Sequence, residues 1–511
     1  MVSIVLYVAI VLQFCHAVSF AQLYGPGDLV ACLSSIPGLD ISLPGSSTYD
    51  QDRQTFELLT TDESYPAAVV TPSDVGLLKA AVRCARMTRV RVVAKNGGCS
   101  YEANSVQNGT LSVVLSNLND IVIDKNSQTA TVGGGALLGA VAYEAYAQAG
   151  MGFSASETPN NGVSGTLLGG GSSYFSRKEG LGCDQVVSLQ MMTWEGRIIT
   201  ATETNKYADL FWASCGGGGG NFGIVTSWTL KLMSVPDLIH FGDGRIYGDL
   251  DVMVQGMYFF QMWIAGADNA LGVQVHFGPE RSPGLKFPFV YSGDGNIQEY
   301  LSSQLPLSDF GNVTIKYRNA SYINAVTSLT GWGLKAPEDL ADYDWSQFRR
   351  MRKIKTVFVY EPYTRDLIKE LYQSLVDMYY AQGNIKFIGA GGKIAERSPT
   401  ASAFPHREAL GWFIFQASWD PSNSTEGEAA SAWLDAVSSI ISNAGYEDFA
   451  YVNYMDDSIE NWQQAYFRFN YPKLTQVKTA YDPKDMFTFE DQGIQRDGLN
   501  RCVFQPCVQD T

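Results

Sequence analysis

The sequence predicts an α+β protein of two packed domains, on three observations. At 511 residues the chain is too long for one core of ordinary size. Its first half runs β-branched strands into glycine-rich elbows: RVVAKNGGCSY at 91–101, GVSGTLLGGG at 162–171 and CGGGGGNFGIVT at 215–226. From about residue 235 the composition turns to aromatic clusters of the kind an antiparallel sheet buries.

The elements follow in chain order. Pro72-Ser73-Asp74 opens a helix whose Val75, Leu78, Val82 and Ala85 recur at helical spacing. It feeds a strand from Val90 to Ala94, and further strands are expected at 112–115, 120–124 and 129–132, the last ending in Gly133-Gly134-Gly135. A helix from Leu137 to Ala149 precedes the second elbow. Residues 186–193 and 197–202 read as a hairpin across Glu195-Gly196, and 223–232 as one more strand. Residues 22–234 thus form a mixed unit with glycines at the ends of its elements. In the second domain, 235–450, Tyr258-Phe259-Phe260, Trp263, Trp412, Phe413 and Phe415 are expected on strands, separated by helices such as 364–381. In the tail, 451–511, a helix from Tyr471 to Ala480 is stopped by Asp482-Pro483.

An apolar content of 45% with 17% charged residues describes an ordinary globular protein. A net charge of −16, with no Lys/Arg run, argues against nucleic acid and anionic membranes as partners. Residues 1–21 read as a secretory signal, with an apolar run at Ile4–Phe14 and small residues at Ala17, Ser19 and Ala21. That run falls short of the roughly 20 residues that span a bilayer, so no membrane association is expected after cleavage. Sequons at Asn108, Asn312, Asn319 and Asn423 suit glycosylation in the secretory pathway and a secreted product.

Without Cys15 of the signal, seven cysteines remain, so at least one is unpaired or otherwise bonded. Cys32 is expected to pair with Cys84, and Cys502 with Cys507. Cys99, at the tip of the first elbow, is then the thiol placed to meet a ligand. His240 and His276 have no neighbours suggesting metal or proton transfer, and no Cys/His spacing resembles a zinc site.

Glycine lets a backbone approach a ligand without a Cβ and reach φ > 0, so consecutive N–H groups can converge on an anion. One such elbow is ordinarily a turn. Three, each flanked by β-branched residues, point to a cofactor's pyrophosphate.

With the elbows go Ser176-Arg177, Gly180-Leu181, Asp209-Leu210-Phe211-Trp212, Phe404-Pro405-His406-Arg407, Asn453-Tyr454-x-Asp456 and Asn470-Tyr471-Pro472. Over residues about 60–234 and 387–490 the chain resembles the berberine-bridge-enzyme-like members of the vanillyl-alcohol-oxidase flavoprotein superfamily, including the fungal oligosaccharide oxidases. The resemblance implies a PCMH-type FAD-binding domain of two subdomains, completed by the C-terminal segment, and an antiparallel-sheet substrate domain with flanking helices roofing the flavin. It implies FAD contacts from Lys95, Asn96, Gly97, Gly98, Cys99 and Ser100, from Thr158, Gly162, Gly165, Gly169 and Gly170, and from Gly223, Ile224 and Val225. Tyr466 and Asn470 would close the pocket from the C-terminal side. His406 and Arg407 would be structural.

The chain departs from that pattern in three places. Where the family joins a histidine to the flavin stands Cys99. Where it joins a cysteine stands Thr158, before Pro159. Cys99 either attaches the flavin through a thioether, its thiolate favoured by Lys95 and the loop's N–H groups, or fills the space of the imidazole. The carboxylate that sugar oxidases place before the Gly-Gly-Lys turn is missing from Phe387-Ile388-Gly389-Ala390-Gly391-Gly392. The base then falls to Tyr454, with Tyr101 in support or serving only as pocket wall.

Three functions follow. The first is an FAD-dependent oxidase or dehydrogenase that takes hydride from a small hydroxylated or cyclic organic substrate, a secondary metabolite, with molecular oxygen as electron acceptor. The second is a redox-neutral isomerase or cyclase with FAD as scaffold. The third is a non-enzymatic secreted glycoprotein.

Overall fold

A computed structural model describes residues 28–58, 64–278, 284–306, 308–331, 333–341, 349–378, 382–489 and 492–497. The expected signal and the Cys502–Cys507 pair lie outside them. The helix Val75–Thr88 begins where Asp74 accepts a hydrogen bond from Leu77 N at 2.9 Å. It buries Leu78, Ala81, Val82 and Ala85 against a four-stranded sheet. That sheet comprises β1 (Asp40–Ser42), β2 (Ala68–Thr71), β3 (Val92–Lys95) and β4 (Leu111–Val114), in the order β1-β2-β4-β3, with β2 and β3 parallel to β4. β3 runs straight into the first elbow.

A second, five-stranded antiparallel sheet is formed by β5 (Ile121–Asp124), β6 (Thr129–Gly133), β8 (Val186–Met192), β9 (Ile198–Ala201) and β10 (Ile224–Lys231), in the order β5-β6-β10-β8-β9. β7 (Met151–Gly152) and β11 (Met233–Ser234) make a short ribbon beside it. The expected β8–β9 hairpin pairs Met192 with Ile198, and Gly196 takes the left-handed turn conformation at φ 74°. The helix Leu138–Ala149 packs Val141 and Ala145 into the core shared with Ala130 and Val132 of β6.

The third sheet is the larger one and is antiparallel throughout: β12 (Ile239–Tyr247), β13 (Leu271–Phe277), β14 (Leu285–Tyr291), β15 (Asn312–Ala320), β16 (Met351–Val359), β17 (Gln382–Gly389) and β18 (Gly411–Trp419), ordered β15-β12-β14-β13-β17-β18-β16. Strand alternation sends Val273, Phe287, Phe387, Phe413 and Phe415 into a core under the helices Leu250–Trp263, Arg365–Asp377 and Ser424–Asn443. The intervening residues face the first two sheets. Trp412, Phe413 and Phe415 lie on β18 as expected, but Tyr258-Phe259-Phe260 and Trp263 lie on the helix Leu250–Trp263. The correction has a local cause. Asp249 caps that helix by accepting from Val252 N, and the buried Met253, Val254, Met257 and Phe260 recur with period 3.6 rather than 2.

The tail returns to the first domain. The helix Tyr471–Tyr481 packs on the helix Ala208–Ala213. Within it the fully buried Lys478 donates to Asn221 O at 2.7 Å and Phe487 O at 2.8 Å, and pairs with Asp482 at 2.7 Å. Cys32 is joined to Cys84. Cys183 and Cys215, which sequence reasoning left unassigned, are joined as well, leaving Cys99 as the free thiol among the described residues. Arg407 is fully buried in a two-pronged pair with Asp184, at 2.6 and 2.8 Å. His406 stacks on Phe358 with ring centroids 4.0 Å apart. Both residues are spent on packing.

Candidate active site

The elbows meet because glycine permits it. A Cβ at Gly97 would come within 2.7 Å of Asn160 O and closer still to Gly162 N, so the first two elbows touch backbone to backbone. Asn96 staples them, accepting from Ser164 N at 2.9 Å and donating to Ala136 O at 3.1 Å. Asn221 holds the third elbow by donating to Gly217 O at 3.1 Å. Above them opens a cavity of about 400 Å³. Asn96, Gly97, Gly98, Cys99, Ser100 and Tyr101 line it from the first elbow. Thr158, Gly162 and Gly165 line it from the second, and Gly223, Ile224 and Val225 from β10 and the residue before it. Tyr454 closes it from the C-terminal segment.

The backbone fits an elongated anionic cofactor. The N–H groups of Gly97, Gly98, Cys99, Ser100 and Tyr101 donate to no acceptor among the described residues, as an anion-binding nest requires. A Cβ at Gly165 would meet nothing within 4 Å, so this bare backbone faces open space.

Five of the expected cofactor residues stand outside the cavity, each for a visible reason. Lys95 turns its ammonium to Asp52 O and Gln54 O; burial pushes its pKa down to about 8. Gly169 backs on the carboxamide of Asn453, where a Cβ would collide. Gly170, at φ 125°, turns the chain against Tyr451 and Phe404. Tyr466 is bonded to Asp456 N at 2.9 Å and Gln492 Oε1 at 3.1 Å. Asn470 donates to Pro399 O at 2.8 Å and Ser402 O at 3.1 Å. The last two brace the tail instead of closing the pocket.

The expected activation of Cys99 by Lys95 is corrected too. The ammonium points away, and burial followed by the negative Glu57 pushes the thiol well up, so it stays protonated. Its sulphur donates to Gly97 O at 3.4 Å. Tyr101 and Tyr454 do meet in the cavity, with ring centroids 6.0 Å apart. Burial raises both phenols far above their ordinary value, with Glu57 adding to the rise at Tyr101 and Glu157 at Tyr454.

The residue that sequence reasoning missed is Glu157, immediately before Thr158. It lines the cavity, and burial pushes its carboxyl up to about 7, the nearby Gln274 and Lys386 partly offsetting the rise. From the other side come Arg352 of β16, Lys386 and Ile388 of β17, and Trp412, Ile414 and Gln416 of β18. Their every-second-residue spacing was legible; which face of the sheet met the cofactor domain was not. Glu57, buried beside them, pairs with Arg352 at 2.8 Å.

Backbone elbows roofed by a seven-stranded sheet define a protein that binds an elongated anionic cofactor. The family described as "FAD binding domain" matches residues 66–202, and that described as "Berberine and berberine like" matches 450–495. An uncharacterized FAD-linked oxidoreductase of Bacillus subtilis is 28% identical, covering 86% of this chain and 94% of its own. A carbohydrate oxidase of Microdochium nivale is 26% identical, covering 91% and 94%. Berberine bridge enzyme from Eschscholzia californica superposes with a TM-score of 0.82 at 24% identity, over 93% of this chain and 100% of that one. The chain carries an FAD binding domain and a berberine-like C-terminal segment and is similar over most of its length to FAD-linked oxidoreductases: it is an enzyme, and FAD is its cofactor. Among the described residues no helix is long and apolar enough to cross a membrane.

Proposed function

We propose that this enzyme oxidises a small hydroxylated or cyclic organic compound, a secondary metabolite, and passes the electrons on to molecular oxygen. The observation that carries the reading is the placement of Glu157 and Tyr454 on one cavity, between the elbows and the roof. Bound along the elbows, FAD supplies the hydride acceptor. Glu157, with a pKa near 7, takes the proton from the substrate hydroxyl near neutral pH, where a buried phenol would not. Tyr454 stays protonated and donates a hydrogen bond that orients the substrate oxygen. Ile388, Trp412 and Ile414 exclude water. With Cys99 held as a thiol and Thr158 in place of the second tether, FAD is held without a covalent bond. A secretory-pathway location is supported by two disulfides and by sequons at Asn108, Asn312 and Asn319, all exposed.

The test is anaerobic mixing of the yellow protein with a panel of alcohols and cyclic amines, followed by the flavin band. Bleaching followed by recovery on admitting air is expected; bleaching that air fails to reverse would move the acceptor from oxygen to another compound. Glu157 titrating near 7 also suits proton shuttling without redox change. Turnover to an isomer with the flavin unbleached would establish that second reading and remove the first.

A further inference from the structure

The roof presents more hydrogen-bond donors to the cavity than the protein answers. Lys386 of β17 lines the cavity, and among the described residues no carboxylate lies within 4 Å of its Nζ and no acceptor is bonded to it. In the adjacent row of the sheet, Gln274 and Trp412 flank Ile388 in register. Both are at least nine-tenths buried, and Trp412 Nε1, which lines the cavity, has no hydrogen-bond partner. Gln274 lies near enough to Glu157 to favour its ionised form and is turned to that carboxyl, which leaves Trp412 as the unanswered donor beside Lys386. An unanswered buried donor is destabilising, and a cation left beside it more so.

The charge continues outward along one row of the sheet. Lys386 pairs in register with His276 of β13, and His276 with Lys286 of β14. Strand alternation puts all three on the face turned to the cofactor domain. Of the row, Lys286 has a carboxylate nearby, Asp243 at 3.8 Å. His276 is held neutral by burial and by the two flanking lysines, its ring bonded to Gln274 Oε1 at 3.0 Å. A basic row ending on an unpaired lysine is notable in a chain of net charge −16, because it attracts anions that the rest of the surface repels.

We infer that the substrate carries a carboxylate, seated against Lys386 with Trp412 as a further donor, and that this anchor places the reacting hydroxyl toward Glu157. The inference rests on the small-molecule oxidation proposed above. It deepens that reading by naming the substrate as a hydroxy acid rather than a neutral alcohol.

The experiment uses the FAD-loaded enzyme and two probe pairs. Benzoate and benzamide are titrated against the flavin absorbance, and hydroxylated aromatic acids and their methyl esters are compared as reductants. Benzoate is expected to bind roughly ten- to a hundredfold more tightly than benzamide, the range of one hydrogen bond to a charged group, and free acids to show a correspondingly lower KM than esters. Lys386→Met erases both differences and Lys386→Arg restores most of them. Equal binding of benzoate and benzamide, or an acid preference that survives Lys386→Met, overturns the anchor. So does a Lys386→Met variant whose flavin spectrum changes while its acid preference does not, because the lysine then serves the cofactor. The two readings fail separately. Esters that bleach the flavin as well as acids remove the anchor and keep the oxidoreductase, whereas selective benzoate binding with no bleaching by any compound keeps the anchor and removes the oxidation.

Discussion

Glu157 shows how a residue acquires chemistry from its surroundings. A carboxyl in water titrates near 4.3, and burial beneath the roof brings this one to about 7. The basic form is therefore present above that pH and lost below it. The expectation for an oxidation that uses Glu157 is a kcat/KM that falls about tenfold per pH unit below roughly 7. Glu157→Gln should cut kcat by roughly 10²–10⁴-fold and remove that acidic limb. A pH profile of both enzymes decides it, and an unchanged limb in Glu157→Gln would assign the ionisation elsewhere. The same scale explains the outcome at Cys99. Its position at the elbow tip was legible in the sequence, but its protonation depended on where the Lys95 ammonium pointed and on how little water reached the sulphur, neither of which is a local property.

At the scale of elements, the elbows are held in place from several directions, and one tie is the Cys183–Cys215 disulfide. It joins the turn after the second elbow to the start of the third across 32 residues. Loop-closure reasoning gives such a crosslink about 3–4 kcal/mol, with the size dependent on native strain. The double variant Cys183→Ser, Cys215→Ser is expected to melt well below the parent and to lose FAD on gel filtration; melting within a degree or two of the parent would show that the elbows hold without it. The strands and helices flanking the elbows were readable because Asp74, Gly133 and Gly196 are local signals. The aromatic run at 258–263 is apolar at consecutive positions and so shows no period of its own; the cap at Asp249 and the position of the neighbouring sheet select the helical one. The disulfide has no local signal either: its two cysteines stand 32 residues apart, one before β8 and one before β10, two strands that pair.

For the whole molecule, the question is what makes two domains and a tail into one site. Lys478 is part of the answer, since it is fully buried and ties the last helix to Asn221 of the third elbow and to Phe487. Removing one partner of a buried ion pair typically costs about 3–5 kcal/mol. Lys478→Met is thus expected to lower the denaturation midpoint and to weaken FAD retention together. A variant that loses stability while keeping FAD fully bound would separate the tail from the elbow. The sequence by itself determined the α+β class, the three glycine elbows, the cofactor they suit and Tyr454 as a pocket residue, because turns, caps and backbone approach are written in short stretches of chain. The tertiary structure alone decided that Glu157, Lys386 and Trp412 share a cavity, and that Lys95, Tyr466 and Asn470 do not reach it. The placement of Lys386 and Trp412 follows from which face of a seven-stranded sheet is laid on the elbows, and a one-residue change of register would send every one of the roof side chains the other way.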